Sequence, residues 1–253
     1  MSFFGPTGVV LEAAAEALKQ LPKRWHVLVV GGIDQLEWRL GRHLDAFSPR
    51  PRRVSPAAVI AAALPRVETS FSCSALPGYH TPEGVTRFDP QQTDQYAMFL
   101  WLCGNEAWRA GNLDLAADLF ALNKGLNAVV CMWDTALPAV FLWIHCVGMV
   151  LGKAEYGDRF VAYQNVTVGT DRAARPTLGS GTILFAGAKV VGATAIGDRS
   201  VVSPNSVLIA ASIPPDSVVA GRSPDLTVKA RKRWLYSDYF RDEPVDPRSP
   251  GRS

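Results

Sequence analysis

The last third of the chain carries an aliphatic residue at every sixth position. The series starts at Leu178 and runs without a miss to Leu208. Small or compact residues stand two positions before each aliphatic: Pro176, Thr182, Ala188, Thr194, Ser200 and Ser206. A helix has no reason to repeat at six, and an ordinary strand alternates at two. The period therefore predicts a coil of three short, flat strands per turn, with one aliphatic of each strand pointing inward and small residues beside the corners.

The same phase extends upstream through Tyr156, Ala162 and Val168, and then breaks by ten residues instead of six before Leu178. The extra residues of the sequence GTDRAARP must leave the coil as an extruded loop. Residues 150–213 are expected to make roughly three turns of about 18 residues each.

The N-terminal third predicts a small α/β or mostly helical region. It contains a helical pattern over residues 8–21 and a short apolar strand over 26–30. An amphipathic helix over 34–47 and a Pro- and Arg-rich linker or exposed loop over 48–58 follow. A strand followed by Gly31 and Gly32 is also the start of a nucleotide-binding turn, but the third glycine of GxGxxG is not at the right place, which favours a plain tight turn. Residues 65–92 have no clear period.

Two nearly apolar helices are predicted over residues 94–112 and 113–127, with Thr93 as the N-cap of the first and Asp94 in its first turn, where it meets the positive end of the helix dipole. Their apolar faces should pack between other elements. Residues 126–151 are long and apolar enough to raise the alternative of a bilayer span. Asp134 and Pro138 near the middle, and the repeat that follows directly, favour a protein that does not enter a membrane.

Composition narrows the function classes. The chain is 48% hydrophobic and 19% charged, enough to bury a core and too apolar for wholesale disorder. Its net charge of +3 is too small and too scattered for a nucleic-acid groove. Four cysteines without a CxxC pair, and no histidine at metal-ligand spacing, predict reduced, buried thiols in a cytoplasmic protein without a metal site. The N-terminus lacks the basic flank and apolar run of a signal peptide.

Of the four histidines, His145 is the candidate for chemistry. It lies where the apolar segment enters the coil, whereas His26, His43 and His80 are better explained as boundary, helical and loop residues. From its position alone, His145 is equally well explained as a core residue.

The stretch HCVGMVLGKA, then YQNVTVG, a loop, and PTLGSGTILFAGAKVVGATAIGDRSVVSPNSVL resembles the C-terminal half of the serine O-acetyltransferases, which are hexapeptide-repeat acyltransferases. The resemblance covers about residues 93–230. It implies an α+β protein in which a mostly helical N-terminal region precedes a left-handed parallel β-helix. It also implies acetyl-CoA as co-substrate and a homotrimer, or a dimer of trimers, with each active site between two subunits.

In that family the histidine of a D-H-x-x-G-x-x-x-G motif is the general base, and His145, with Gly148 and Gly152 after it, occupies that place. The chemistry fits, because a hydroxyl needs an imidazole to take its proton near neutral pH. The motif's aspartate is Ile144 here, so the base lacks its usual neighbouring carboxylate. The family's second histidine, in an R-H-P motif, falls on Arg175, and its arginine becomes an alanine.

Those lost positions hold the serine substrate in the family, which puts free serine in doubt as the acceptor. Asp171, Arg172 and Arg175 are candidates for a rebuilt substrate clamp, and a solvated loop is an equal alternative. For the donor, the family pattern implies that coenzyme A lies along small residues matching Ala186 and Gly187, with Pro204 near the next coil.

The basic stretch that follows, represented by Arg222 and Lys229, is a candidate for the nucleotide phosphates or simply a solvated face. We expect four parts: an appendage over 1–92, a helical segment over 93–145, the β-helix over 146–221 and a tail over 222–253. The predicted function is transfer of an acetyl group from acetyl-CoA to serine or a serine-like amino acid, with His145 as base. Two alternatives stay open: a sugar, polysaccharide unit or specialised metabolite as acceptor, and a non-catalytic scaffold.

Overall fold

The structure is a computed structural model, and it describes residues 27–48, 55–172, 174–231 and 236–241. The helix expected over residues 8–21 and His26 lie outside these ranges. The fold class predicted from the sequence is confirmed: a helical N-terminal region precedes a parallel β-solenoid. The division into four parts at residues 92, 145 and 221 stays a prediction.

Over the described residues from 27 to 127, two short strands and four helices form the N-terminal region. In chain order they are β1 (Val27–Val29), α1 (Gly32–Phe47), α2 (Ala57–Ser72), β2 (Thr86–Phe88), α3 (Thr93–Arg109) and α4 (Leu113–Asn127). Strands β1 and β2 pair in parallel. The predicted strand, the amphipathic helix after it and the two apolar helices are therefore all present. Gly31 lies in the turn between β1 and α1, and Gly32 is the first residue of α1.

Two expectations for this region are wrong. Helix α2 occupies residues assigned to a linker and to a stretch without a period, and it carries Pro65 in its interior. It escaped notice because a proline usually ends a helix, whereas here the buried side chains on both sides of Pro65 hold the helix against α3. The N-cap of α3 is Gln92, not Thr93: the Gln92 side chain accepts a hydrogen bond from the backbone N–H of Gln95.

The solenoid has three faces of stacked parallel strands. The first face contains β4 (Phe141–Ile144), β7 (Phe160–Tyr163), β10 (Ile183–Leu184), β13 (Val201–Val202) and β16 (Ser217–Arg222). The second contains β3 (Val130–Cys131), β5 (Val150–Leu151), β8 (Thr167–Gly169), β11 (Lys189–Val191) and β14 (Val207–Ile209). The third contains β6 (Glu155–Tyr156), β9 (Thr177–Leu178), β12 (Ala195–Ile196) and β15 (Ser212–Ile213).

The inward aliphatics stack as the period-six pattern predicts. Leu178 pairs with Ile196 on the third face, and Leu184 pairs with Val202 on the first, each at most 2% exposed. The small residues two positions earlier are buried beside the corners, where Thr182 Oγ1 donates a hydrogen bond to the Gly179 carbonyl. The hydroxyl thus satisfies a backbone acceptor at a bend that leaves no room for a larger side chain.

The coil is longer than the roughly three turns expected from the sequence: it makes about five turns and begins at residue 130. Its first strands were not recognised because large apolar side chains hide the period. In β4 all four residues are buried, including Trp143. One side of the strand faces the coil interior and the other packs against α3, so inward and outward positions look alike in the sequence.

Helices α2 and α3 are attached directly to this first coil. The Ser70 hydroxyl of α2 donates a hydrogen bond to the Phe141 carbonyl and accepts one from the Phe141 N–H. Trp101 of α3 packs edge-on against Phe141, with ring centroids 5.5 Å apart. These contacts bring the N-terminus of α3 to the corner that follows β4.

The last coil ends in a hairpin. Strand β17 (Asp225–Ala230) pairs antiparallel with β16, and a short helix α5 (Tyr236–Tyr239) returns to the N-terminal region. The four cysteines are buried and free. Among the described residues, no helix combines the length and apolar character needed to cross a bilayer.

Candidate active site

His145 lies at the corner between the first and second faces, immediately after β4. Its backbone is in the left-handed region, with φ 51°, which is uncommon for a residue with a side chain. Asp94 holds it there: its carboxylate accepts hydrogen bonds from the backbone N–H of His145 at 2.8 Å and of Cys146 at 3.1 Å. The corner is therefore held by a residue that lies 51 positions earlier in the chain.

The same carboxylate faces the imidazole. The distance from Asp94 Oδ2 to His145 Nδ1 is 4.0 Å, which is longer than a hydrogen bond but close enough for the two groups to form a charge pair when the ring is protonated. Asp94 is largely buried, whereas the His145 side chain is 74% exposed. The imidazole is therefore accessible to a ligand and lies beside a buried negative charge.

An open cleft of about 410 Å³ lies in front of this pair. It is bounded on one side by helices α3 and α4 and on the other by the corners of the first two coils, and it is lined by Thr93, Asp94, Leu126, Asn127, His145, Cys146, Val147, Gln164 and Asn165. Apart from Asp94 and His145 these residues are uncharged. Within the part of the chain that the structure describes, no lysine or arginine contributes to the lining.

Cys146 contributes a thiol to the lining of this cleft. Burial raises the pKa of its thiol far above the usual range, and the negative charge of Asp94 raises it further. The side chain therefore stays a neutral thiol near neutral pH, and a neutral thiol is a poor nucleophile. His145, whose side chain is exposed, therefore stays the candidate base.

The two glycines that follow His145 in the motif, Gly148 and Gly152, lie where a side chain would not fit. Gly148 has φ 73°, and a Cβ on it would collide with the Asn165 side chain of the next coil. A Cβ on Gly152 would lie 2.8 Å from the Val168 carbonyl oxygen. Both positions therefore require glycine for the corner and the first coil to stack.

The residues predicted to bind the donor fall largely in one column with His145. Backbone hydrogen bonds from Gly187 N–H to the Gln164 carbonyl and from Asn205 N–H to the Ala186 carbonyl link the same corner of successive coils. Pro204 is exposed at that corner, next to Asn205. With about 4.8 Å between stacked strands, the column extends roughly 15 Å from His145 to Pro204.

The two predicted phosphate-binding residues are at the far end of the coil, and both are exposed. Arg222 pairs with Val207 at the start of the second face, just beyond the same corner. Lys229 pairs with Val218 in the terminal hairpin, before that corner is reached. Arg222 continues the column, whereas Lys229 lies beside it.

The predicted substrate residues are not at the His145 corner. Asp171, Arg172 and Arg175 are exposed on the extruded loop between β8 and β9, where the chain turns from the second face to the third. Two backbone hydrogen bonds between Asp171 and Ala174 close this loop. Within one chain, the whole second face separates the loop from His145.

Sequence reasoning missed the carboxylate of the site. Ile144 does replace the family's aspartate, so the carboxylate directly before the base in the motif is lost, but Asp94 supplies a carboxylate 4.0 Å from the imidazole from elsewhere in the chain. Asp94 was interpreted only as a favourable charge in the first turn of a helix. The sequence does not reveal that Asp94 and His145 are neighbours, because only the packing of α3 on β4 brings the two together. Among the described residues, no group of three or more potential metal ligands is clustered.

Comparison with known proteins gives one consistent resemblance. No family model matches the chain. Over 119 residues the chain is 39% identical to a serine acetyltransferase of Mycobacterium tuberculosis, which covers 45% of this chain and 52% of that protein. The chain thus spans about half the length of this relative.

Solved structures show the same fold. The serine acetyltransferase of Vibrio cholerae matches with a TM-score of 0.61 and 18% identity, over 80% of this chain and 81% of that one. That of Brucella abortus in complex with coenzyme A matches with a TM-score of 0.51 and 16% identity, over 79% of this chain and 76% of that one. At this level of identity the likeness concerns the fold. The resemblance to serine acetyltransferases inferred from the sequence is confirmed.

Proposed function

We propose that this protein transfers an acetyl group from acetyl-CoA to a hydroxyl, with His145 as the general base. The observation that carries the proposal is the pair in the cleft: an exposed imidazole whose Nδ1 lies 4.0 Å from the buried Asp94 carboxylate. The sequence similarity to serine acetyltransferases and the CoA complex of a structural relative support the choice of donor.

The proposed reaction is a direct transfer. The acceptor oxygen forms a bond to the thioester carbonyl carbon while His145 Nε2, the ring nitrogen farther from Asp94, takes the hydroxyl proton. The carbon–sulfur bond then breaks, and the CoA sulfur leaves with the proton returned by the imidazolium. Asp94 favours the charged imidazolium in between, because opposite charges attract; with the imidazole largely in water, this attraction is about 1 kcal/mol at 4 Å.

The corner column supports a path for the donor. Coenzyme A would lie along the small residues Ala186 and Gly187 and past Pro204, with its thioester toward His145. Arg222, at the far end, is suited to a phosphate because a guanidinium forms paired hydrogen bonds with phosphate oxygens. Lys229 remains a weaker candidate, since it lies beside the column.

The placement of the extruded loop supports a shared active site. Arg172 and Arg175 are one face away from His145 in their own chain, so they can act on its substrate only from a neighbouring copy. In a trimer with parallel coils, the loop corner of one copy faces the His145 corner of the next. We therefore propose a homotrimer, tested by light scattering; a fully active monomer would contradict it.

The acceptor is the least specified part. A free amino acid carries a carboxylate that needs a cation, and apart from Asp94 and His145 the described lining of the cleft in a single chain consists of amide, hydroxyl, thiol and apolar groups. Serine or a serine-like amino acid thus requires Arg172 or Arg175 of the neighbouring copy. The absence of a lysine or arginine from the described lining favours the second candidate, an uncharged polyhydroxyl acceptor such as a sugar unit.

Release of the CoA thiol from acetyl-CoA tests these proposals. Serine, related amino acids and a panel of sugars are supplied in turn, and the stimulated rate is measured for the unmodified protein, His145→Gln and the matched control His43→Gln. We expect one acceptor class to stimulate release, His145→Gln to abolish it and His43→Gln to retain it. If no acceptor stimulates release, or if His145→Gln is as active as the unmodified protein, the enzymatic proposal is wrong. Arg175→Ala raises the KM for the acceptor only if that acceptor carries a carboxylate.

A further inference from the structure

The C-terminal segment 236–241 packs against the loop that follows helix α2. The backbone N–H of Ala75 donates to the Tyr239 carbonyl at 2.7 Å, and the N–H of Arg241 donates to the Cys73 carbonyl at 2.8 Å. Ser74 and Phe240 form an antiparallel bridge between these two bonds. Residues 239–241 are thus fixed to the end of helix α2 and the loop after it. Ser70 of the same helix also holds strand β4.

This attachment buries Tyr239 against the first face of the solenoid. Tyr239 is 7% exposed, and its hydroxyl oxygen lies 2.8 Å from that of Tyr163, the last residue of β7. The two rings meet edge to face, with centroids 6.3 Å apart. Burial raises the pKa of Tyr239, and the hydrogen bond with Tyr163 raises it further, so the phenol stays neutral and the bond persists across the physiological range.

Tyr163 in turn lies next to the proposed base. Its ring centroid is 6.4 Å from that of His145, at an interplanar angle of 66°. The ring centroid of Phe185 lies 5.1 Å from that of Tyr163. Because the His145 side chain is 74% exposed, few groups restrict the rotation of its imidazole. Asp94 acts on one edge of the imidazole, and Tyr163 provides an aromatic ring beside it.

We propose that Tyr239 is a positioning residue for His145: its hydroxyl fixes the ring of Tyr163, and that ring restricts the orientation of the imidazole. The C-terminal segment is then part of the active site without touching a substrate. The inference rests on the proposed function in that His145 is the base. A base held in one orientation is a larger fraction of the time in line with the acceptor hydroxyl.

Tyr239→Phe removes only the hydroxyl and keeps the packed ring. Loss of one hydrogen bond that orients the base is expected to lower kcat about three- to ten-fold while leaving the KM for acetyl-CoA within about two-fold. Tyr163→Phe removes the other half of the same bond, so the double variant should be no slower than either single one. The matched control is Tyr156→Phe, whose hydroxyl donates to the Gly152 carbonyl and is not part of this contact.

An independent readout is the imidazole itself. The chain has four histidines, so the His145 ring proton can be assigned in NMR spectra by its loss in His145→Gln. Tyr239→Phe and Tyr163→Phe should shift this resonance, because the ring current of Tyr163 acts on it, whereas Tyr156→Phe should not.

The outcomes separate the two proposals. If Tyr239→Phe and Tyr163→Phe change neither the resonance nor kcat relative to Tyr156→Phe, the positioning role is wrong. If both hydroxyl variants shift the resonance but the unmodified protein transfers no acetyl group, the positioning of His145 stands and the proposed reaction falls. If kcat falls only in proportion to a loss of folded protein, measured by thermal denaturation, the role is merely structural and the inference is overturned.

Discussion

Asp94 combines two roles that a single substitution can separate. Its carboxylate is largely buried, accepts two backbone hydrogen bonds from the His145 corner and faces the imidazole. Asp94→Asn keeps the size and one acceptor oxygen but turns the other oxygen into a donor. At least one backbone N–H of the corner then loses its partner, next to a residue already in the left-handed region.

The cost follows from these contacts. A hydrogen bond to a charged group contributes about 1.5 to 3 kcal/mol, so we expect Asp94→Asn to lower the free energy of unfolding by about that amount. The contribution of a first-turn aspartate to the helix dipole is smaller, about 0.3 to 1 kcal/mol. Asp114, exposed in the first turn of α4, provides the matched control, since Asp114→Asn removes the same charge from an equivalent helical position.

Urea denaturation followed by circular dichroism compares the two variants. If Asp94→Asn is no less stable than Asp114→Asn, the carboxylate does not hold the corner, and the explanation for the His145 backbone is refuted. Under the proposed function, loss of the charge beside the imidazolium should also lower kcat by up to about five-fold, since the attraction lost is about 1 kcal/mol. Unchanged kcat in a folded Asp94→Asn would refute the electrostatic role of Asp94.

Three further predictions concern the fold. A Cβ on Gly179 would lie 2.5 Å from the backbone of the next coil, whereas one on Gly169 would meet nothing within 4 Å. In thermal denaturation, Gly179→Ala should therefore lower the free energy of unfolding by about 1 to 3 kcal/mol, and Gly169→Ala by less than about 0.5 kcal/mol. Leu184→Ala removes a fully buried side chain of the stack and should cost about 2 to 5 kcal/mol in urea denaturation, against less than about 0.5 kcal/mol for the half-exposed Ile209→Ala; equal costs would contradict the inward stacking. Burial lowers the pKa of His80 from 6.5 to about 4; because only the unfolded chain binds this proton between those values, stability should fall as the pH drops from 6.5 to 4, and His80→Gln should lessen that fall.

Much of the solenoid was predictable because its determinants are local and repeated. Each strand needs one inward aliphatic and each corner a small residue, so the same short pattern recurs and becomes visible without any partner. The first coil was missed because it lacks this recurring pattern. Its β4 strand packs on both sides, which replaces the pattern with four buried apolar residues.

The sequence by itself determined the coil and the helical pair before it, and it identified His145 as the candidate for chemistry. The tertiary structure alone decided what surrounds that histidine. Asp94 and Tyr239 lie 51 and 94 residues from His145 along the chain, on a helix and on the C-terminal segment. Such neighbours leave no spacing to detect, because they meet only when α3 and the C-terminal segment dock against the first coil, and docking depends on the shape of packed surfaces rather than on any local repeat.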